Sequence, residues 1–276
     1  MMKKTVFLLL ALFGLLMPGW AKEYVVLAVR GEAARSSDGQ ALQPGDALAD
    51  DDALALGEGA MLALCSPEAG RFLIASESGA SGTVADLAKP GTASVKADAP
   101  AKFATDVSFA AYFSPKASEP FYRGHFVVIG DMAWYKVDAA KYPLDGNQFF
   151  FVRYVYNDIS VNKGLPFDRE EFALERQEIY SSSGRMVVEN QDLIANGEFL
   201  YYNGKEYRLL CEFKPYFLEE DELKQSVSAM KPWLQARPTF AAAVQEVQAF
   251  IADMYGKAGK GDVEKFLRQH FPELVK

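Results

Sequence analysis

Few side chains in this sequence can carry covalent chemistry. Two cysteines, Cys65 and Cys211, and two histidines, His125 and His270, stand among 276 residues. Two imidazoles exclude a three-histidine zinc centre within one chain. A thiol nucleophile needs a base within hydrogen-bond reach, which makes Cys211 with His125 the dyad to weigh, although no local motif joins them. The thiols have two structural fates. They can close one long loop as a disulfide in an oxidising compartment, or remain two inert buried groups. Cys65 follows the apolar run Met61-Leu62-Ala63-Leu64 and Cys211 follows Tyr207-Arg208-Leu209-Leu210, so both fates stay open.

Other catalytic patterns are incomplete. A serine elbow needs Gly-x-Ser-x-Gly on a sharp strand-to-helix turn. Ser78-Gly79-Ala80-Ser81-Gly82 departs from that spacing and reads as a loop without a following helix. Gly57-Glu58-Gly59 lacks a third glycine and a lysine, and its carboxylate repels phosphate. No cofactor is expected. Asp46, Asp50, Asp51 and Asp52 supply oxygens suited to a hard cation, but the order of an EF-hand is missing, and a solvated turn explains them. Glu170, Glu171, Glu175 and Glu178 are the acids a paired-carboxylate glycosidase would draw on. Together with Cys211 they define one alternative, a secreted hydrolase.

Aromatic residues offer chemistry of another kind. Trp134, Tyr135, Tyr154, Tyr156, Tyr201 and Tyr202 form a hypothetical platform for a glycan or a peptide. Strand alternation puts Tyr154 and Tyr156 on one face and Phe151 and Val155 on the other. The plainer account is that most of these rings fill a core.

The elements that must position these groups begin after a leader. Lys3 and Lys4, the apolar run Val6 to Met17, Pro18 and then Gly19-Trp20-Ala21 read as a secretory signal over residues 1–21, cut after Ala21. The run is shorter than the ~20 residues of a bilayer crossing. The protein is therefore expected outside the inner membrane, periplasmic or extracellular, and not membrane-embedded after cleavage. Lys plus Arg number 29 against 37 for Asp plus Glu, a formal charge of −8. Such a balance argues against nucleic acid as partner, because phosphate contacts need a broad basic surface. Half of the residues are hydrophobic and 24% charged, which excludes a disordered or disulfide-scaffold chain.

Residues 22–88 read as short strands separated by Gly and Asp turns. Val25 to Val29 make the first strand, the turns Ser37-Asp38-Gly39 and Pro44-Gly45-Asp46 bracket a short strand at Gln40 to Leu42, and Ala53 to Leu56, Met61 to Leu64 and Arg71 to Ile74 follow. Val29-x-Gly31, Asp38-Gly39-x-x-Leu42-x-x-Gly45-Asp46-x-Leu48 and Leu54-x-x-Gly57-x-Gly59-Ala60-x-Leu62-x-Leu64 carry a resemblance over residues 24–85. This stretch resembles the FecR-like domain of bacterial envelope proteins. That resemblance implies a small β roll of sensing or binding type. It departs from the family at Ser66-Pro67-Glu68-Ala69-Gly70 and in having a cleavable leader where iron-sensing members carry an anti-sigma segment and a membrane helix.

Residues 89–106 are rich in Ala, Lys, Pro, Gly and Ser and read as a linker. Residues 107–217 are dense in aromatics: Phe126-Val127-Val128-Ile129, Phe149 to Tyr156, Phe199 to Tyr202 and Tyr207 to Phe213. With turn signals at Asp145-Gly146-Asn147, Ser183-Gly184 and Asn203-Gly204 they predict antiparallel hairpins. Glu171 to Tyr180 is ambiguous and is read as a strand. Residues 218–276 change to a helical period. Phe240, Ala243, Val244, Val247, Phe250, Ile251 and Met254 recur on one face, and Asp262 is placed to cap a last helix.

The expected fold is mainly β (α+β): a small roll, then an antiparallel β domain with C-terminal helices. The expected function is that of a non-enzymatic exported envelope module that binds or senses an envelope protein or polysaccharide.

Overall fold

The computed structural model describes residues 23–66, 70–88, 94–96 and 125–275. The expected leader, most of the linker and residues 107–124 lie outside the described residues. The chain divides into two units, Met1–Asp98 and Ala99–Lys276. The fold is mainly β, with antiparallel sheets and C-terminal helices.

The first unit is built from β1 (Glu23–Arg30), β2 (Ala33–Arg35), β3 (Ala47–Ala49), β4 (Ala53–Leu56), β5 (Met61–Ser66), β6 (Gly70–Ala75), β7 (Ala80–Thr83), the one-turn helix α1 (Val84–Leu87) and β8 (Ser94–Lys96). One sheet has the order β3-β1-β5-β6-β8 and the other the order β2-β4-β7. Tyr24, Val26, Leu62, Leu64, Phe72 and Ile74 from the first meet Ala33, Leu54 and Leu56 from the second, and Val84 and Leu87 from α1, in one buried cluster. In β4 the leucines are buried and the alanines exposed, the period of two that a sheet with one solvated face requires. A bulge changes that period in β1. Val26 lies opposite Leu64 and Ala28 opposite Ala63, so Leu27 is the extra residue, and Val29 returns to the same core as Val26.

Three expectations differ here. Gln40 to Leu42 is no strand, since Ala41 makes an isolated bridge to Ala34. Ser94–Lys96, inside the expected linker, pairs with β6, because backbone pairing needs no apolar pattern. The Ser78 to Gly82 stretch is half strand, and α1 does follow it, capped by the Thr83 hydroxyl.

The second unit begins with β9 (His125–Ile129) and β10 (Met132–Lys136), then β11 (Phe149–Tyr156), β12 (Ile159–Gly164), β13 (Glu171–Glu175), helix α2 (Arg176–Tyr180), and the small hairpin of β14 (Ser181–Ser182) and β15 (Arg185–Met186). It continues with β16 (Ala195–Tyr202), β17 (Tyr207–Glu212), β18 (Lys214–Leu218), α3 (Glu220–Gln235), α4 (Phe240–Met254), β19 (Lys257–Ala258) and α5 (Lys260–His270). The main antiparallel sheet has the order β12-β11-β16-β17, and β10 pairs with β13. One face of the main sheet presents Phe150, Val152, Tyr154, Phe199 and Tyr201 to a core shared with Phe126, Phe172, Tyr180, Phe213 and Phe217. Phe150 and Phe199 stack with centroids 5.2 Å apart, and Phe150 lies 4.9 Å from Phe172.

β9 is not part of a hairpin. It runs parallel to both β18 and β19, which flank it. The step from β18 to β19 passes through α3 and α4, the helical crossover that parallel strands need. Phe126 and Val128 face the aromatic core, which leaves the buried Val127 on the opposite side. Pro215 is tolerated in β18 because that strand is an edge. The Glu171 to Tyr180 stretch is strand for five residues and helix for the next five.

The helices read from periodicity are present, with caps that differ in one place. The Thr239 hydroxyl accepts from the Ala242 amide at 3.2 Å to start α4. Gly256, at φ +123°, follows the end of α4. Gly259 rather than Asp262 is the N-cap of α5, and the Asp262 carboxylate instead accepts from the Tyr135 hydroxyl at 3.4 Å. Burial raises the Asp262 pKa against the opposing pull of that bond and of Lys265. Among the described residues no helix is long and apolar enough to cross a membrane.

Candidate functional site

The face of the main sheet turned away from the aromatic core is also ringed. Its geometry follows from the register. Phe149 pairs with Tyr202 and Tyr202 with Tyr207, one row across three strands. Phe151, Leu200 and Leu209 make the next row, and Arg153, Glu198 and Glu212 the third. The rings touch: Phe149 to Tyr202 at 5.6 Å, Tyr202 to Tyr207 at 4.8 Å, and Tyr207 edge-on to Phe151 at 5.2 Å. Phe151 and Leu200 are buried, whereas Tyr207 is 63% and Leu209 53% exposed. The third row closes the patch with an ion pair, Arg153 to Glu198 at 3.2 Å, and Arg153 also donates to Asn162 at 2.9 Å.

Two local devices build this face. The Asn203 side chain accepts from the Lys205 and Glu206 amides and shapes the hairpin that brings Tyr207 opposite Tyr202. In β17, Leu200 faces Leu209 and Phe199 faces Cys211, so Leu210 is the extra residue of a bulge. That insertion turns both Leu210 and Cys211 into the core and leaves Leu209 outside.

The six aromatics singled out in the sequence are not one platform. Tyr154 is wholly buried, its hydroxyl donating to the Ile179 carbonyl at 2.7 Å, and burial pushes its pKa up to about 12. Tyr201 is buried and donates to the Pro143 carbonyl at 2.7 Å; burial foremost, then Asp145 and Tyr142, raise its pKa. Tyr135 is buried against Phe126 and Phe172. Tyr156 is half-buried, and its hydroxyl accepts from the Glu189 and Asn190 amides. Trp134 is exposed on β10, two residues from the exposed Met132. Tyr202 alone of the six belongs to the ringed face. Phe149, Phe151, Tyr207 and Leu209 are the members that sequence reasoning missed. The signal for them was the Asn203-Gly204 turn, which sets the register on either side of it.

Both thiols are buried, Cys65 in the first unit and Cys211 in the second. Both sit within paired strands, with Cys65 opposite Val25 and Arg71 and Cys211 opposite Phe199. Burial pushes the Cys211 pKa up to about 12, which leaves little thiolate for nucleophilic attack. His125 stacks on Tyr216 with centroids 5.4 Å apart. His270 ends α5, 3.2 Å from a Glu220 oxygen and packed on Phe266.

The acids are placed in ordinary roles. Asp46 accepts from the Gln43 amide, Asp50 from the Tyr24 hydroxyl, and Asp52 from the Ala49 amide and Arg35. Glu171 and Glu175 stand at opposite ends of β13, about 13 Å apart along the backbone at ~3.3 Å per residue. Glu170 and Glu178 are exposed. Among the described residues no group of three or more His, Cys, Asp or Glu converges as a metal site.

A second polar cluster lies at the carboxyl ends of β9 and β18, where parallel sheets often place ligands. Arg176 donates to the Phe217 carbonyl at 2.9 Å and pairs with Asp131 and Glu219. Gln191 bonds both the amide and the carbonyl of Phe217. These groups satisfy one another and clasp α2 to β18. Compared with protein-family models, with curated proteins and with solved structures, the chain matches none.

Proposed function

We propose that this protein is an exported envelope module that works by binding a protein partner, without making or breaking covalent bonds. Its N-terminal unit is FecR-like on the motif resemblance of residues 24–85, which motivates the envelope setting. One observation carries the binding reading: the row Phe149, Tyr202 and Tyr207 with the exposed Leu209 on the outer face of the main sheet. Aromatic and aliphatic side chains held at fixed spacing on a sheet are the anchors that protein interfaces use.

Protein suits this face better than polysaccharide. A sugar site combines ring stacking with polar groups aimed at hydroxyls. Here the polar neighbours Arg153, Glu198 and Asn162 are engaged with each other, and the aliphatic Leu209 continues the apolar surface. The alternative of a secreted hydrolase draws no support from Cys211, whose thiol is buried and held protonated.

The test is affinity capture from an envelope extract with the full exported chain and with a Tyr202→Ser/Phe149→Ser variant whose near-ultraviolet dichroism matches the parent. A partner held by the parent and lost by the variant supports the reading. Identical sets of captured proteins, or an enriched polysaccharide in their place, would count against it.

A further inference from the structure

The edge of the main sheet carries a second feature that needs no outside partner. We infer that β17 pairs with β17 of a second copy of this chain, antiparallel and centred on Tyr207, to join two four-stranded sheets into one of eight strands.

The backbone makes the edge available. The Asn203 amide donates to the Glu206 carbonyl at 3.2 Å, which makes Asn203 and Glu206 a hydrogen-bonded pair. Bonded and non-bonded pairs alternate along an antiparallel ladder, so Tyr201 with Arg208 is the next bonded pair. The amides and carbonyls of Tyr207 and Leu209 therefore point away from β16. No strand among the described residues pairs with that side of β17. Nor is the edge blunted by proline, and Tyr207, Arg208 and Leu209 are all exposed.

Symmetry and charge then select the register. A two-fold pairing centred on Leu209 would run across the bulge at Leu210, where the ladder is disrupted, and would oppose Glu206 to Glu212. Centring on Arg208 would set that guanidinium against its own copy. The Tyr207-centred register uses Tyr207 to Leu209, ahead of the bulge, together with Glu206 where the hairpin turn closes. It places Arg208 opposite Glu206 of the second copy, twice over by symmetry. Within the described fold neither charged side chain has an ion-pair partner, although both are exposed and flank Tyr207 on one face. The two Tyr207 rings would lie side by side, covering the most exposed ring of the face. The paired stretch is short and falls below the standard interface size, so dissociation in the range of roughly tens to hundreds of micromolar is expected.

Sedimentation velocity of the purified full chain, over roughly a hundredfold range of concentration around that value, tests the inference without any envelope partner. Its failure is thus separable from that of the partner reading. The parent should pass from monomer to dimer. Glu206→Arg and Arg208→Glu should each weaken association roughly tenfold by setting like charges opposite one another, and the double reversal should restore it. Leu209→Pro should abolish the dimer while leaving the monomer folded, because the amide it removes faces outward. A parent monomeric throughout, a double reversal as weak as the single ones, or a dimer that survives Leu209→Pro would overturn the pairing.

Discussion

Native reactivity of Cys211 decides between an inert core thiol, a bridge and a nucleophile. The experiment is timed alkylation with iodoacetamide at pH 8 of protein purified without reductant. A thiol at the ordinary value of 9.0 is about one-tenth ionised at that pH, whereas one pushed up to about 12 is ionised in about one molecule in ten thousand. The thousandfold loss of thiolate is partly offset, because a more basic thiolate is a better nucleophile. With a Brønsted slope near 0.5 the net slowing is about 30-fold. Burial in the core, beside a strand that pairs on through Phe199, adds the need for local opening. Peptide mass analysis should show Cys211 unmodified in native buffer over the time that labels a free thiol completely. In denaturant, still without reductant, both thiols should label. Rapid native labelling of Cys211 would refute the burial argument and revive a catalytic thiol. Denatured protein that labels only after reduction would show that the two cysteines are bridged.

Three further outcomes follow from the second unit. Gly256→Ala should cost about 3 kcal/mol or more in urea unfolding, because its φ is +123° and a Cβ there would lie 2.4 Å from the His125 carbonyl oxygen; a loss under about 1 kcal/mol would mean that β9 and the end of α4 can part freely. Tyr154→Phe should cost about 1–3 kcal/mol by leaving the buried Ile179 carbonyl without its donor, measured by the same unfolding, and an unchanged midpoint would sink that assignment. Asp262→Asn bears on pH. The folded pKa of Asp262 is raised above 3.8, so the protonated form is the stabilising one, and its contribution is full below that value and lost as pH rises through the folded value. The variant should therefore gain on the parent at neutral pH and lose that gain near pH 3; thermal melts that differ by the same amount at both pH values would contradict it.

Much of the first unit was legible because its signals are local. Gly39, Gly45 and Gly59 adopt positive φ at the turns their spacing marked, and Leu54 and Leu56 alternate with exposed alanines. The helix α4 was equally plain, since seven apolar residues on one face all became buried. The turn at Asn157 and Asp158, with φ of 48° and 62°, carries no glycine, and the β11 to β12 hairpin it makes was not read. Its signal was present, because Asn and Asp tolerate the left-handed region.

The site was harder to read because it depends on partners. Phe149 to Val152 is an unbroken apolar run, and composition does not say which alternate residues meet the core. The bulges at Leu27 and Leu210 each shift a strand by one residue and reverse which side chains turn outward beyond them.

Residue types and their order were enough to establish that this chain is mainly β with helices at its end and that its aromatics cluster in the second unit. These follow from interactions a few residues long. Which rings remain outside, and that β9 lies parallel between β18 and β19, were decided by contacts between segments far apart in the chain, such as Phe126 with Lys257. Strands with the same alternation can pair in several registers and directions, and only the simultaneous packing of every face chooses among them.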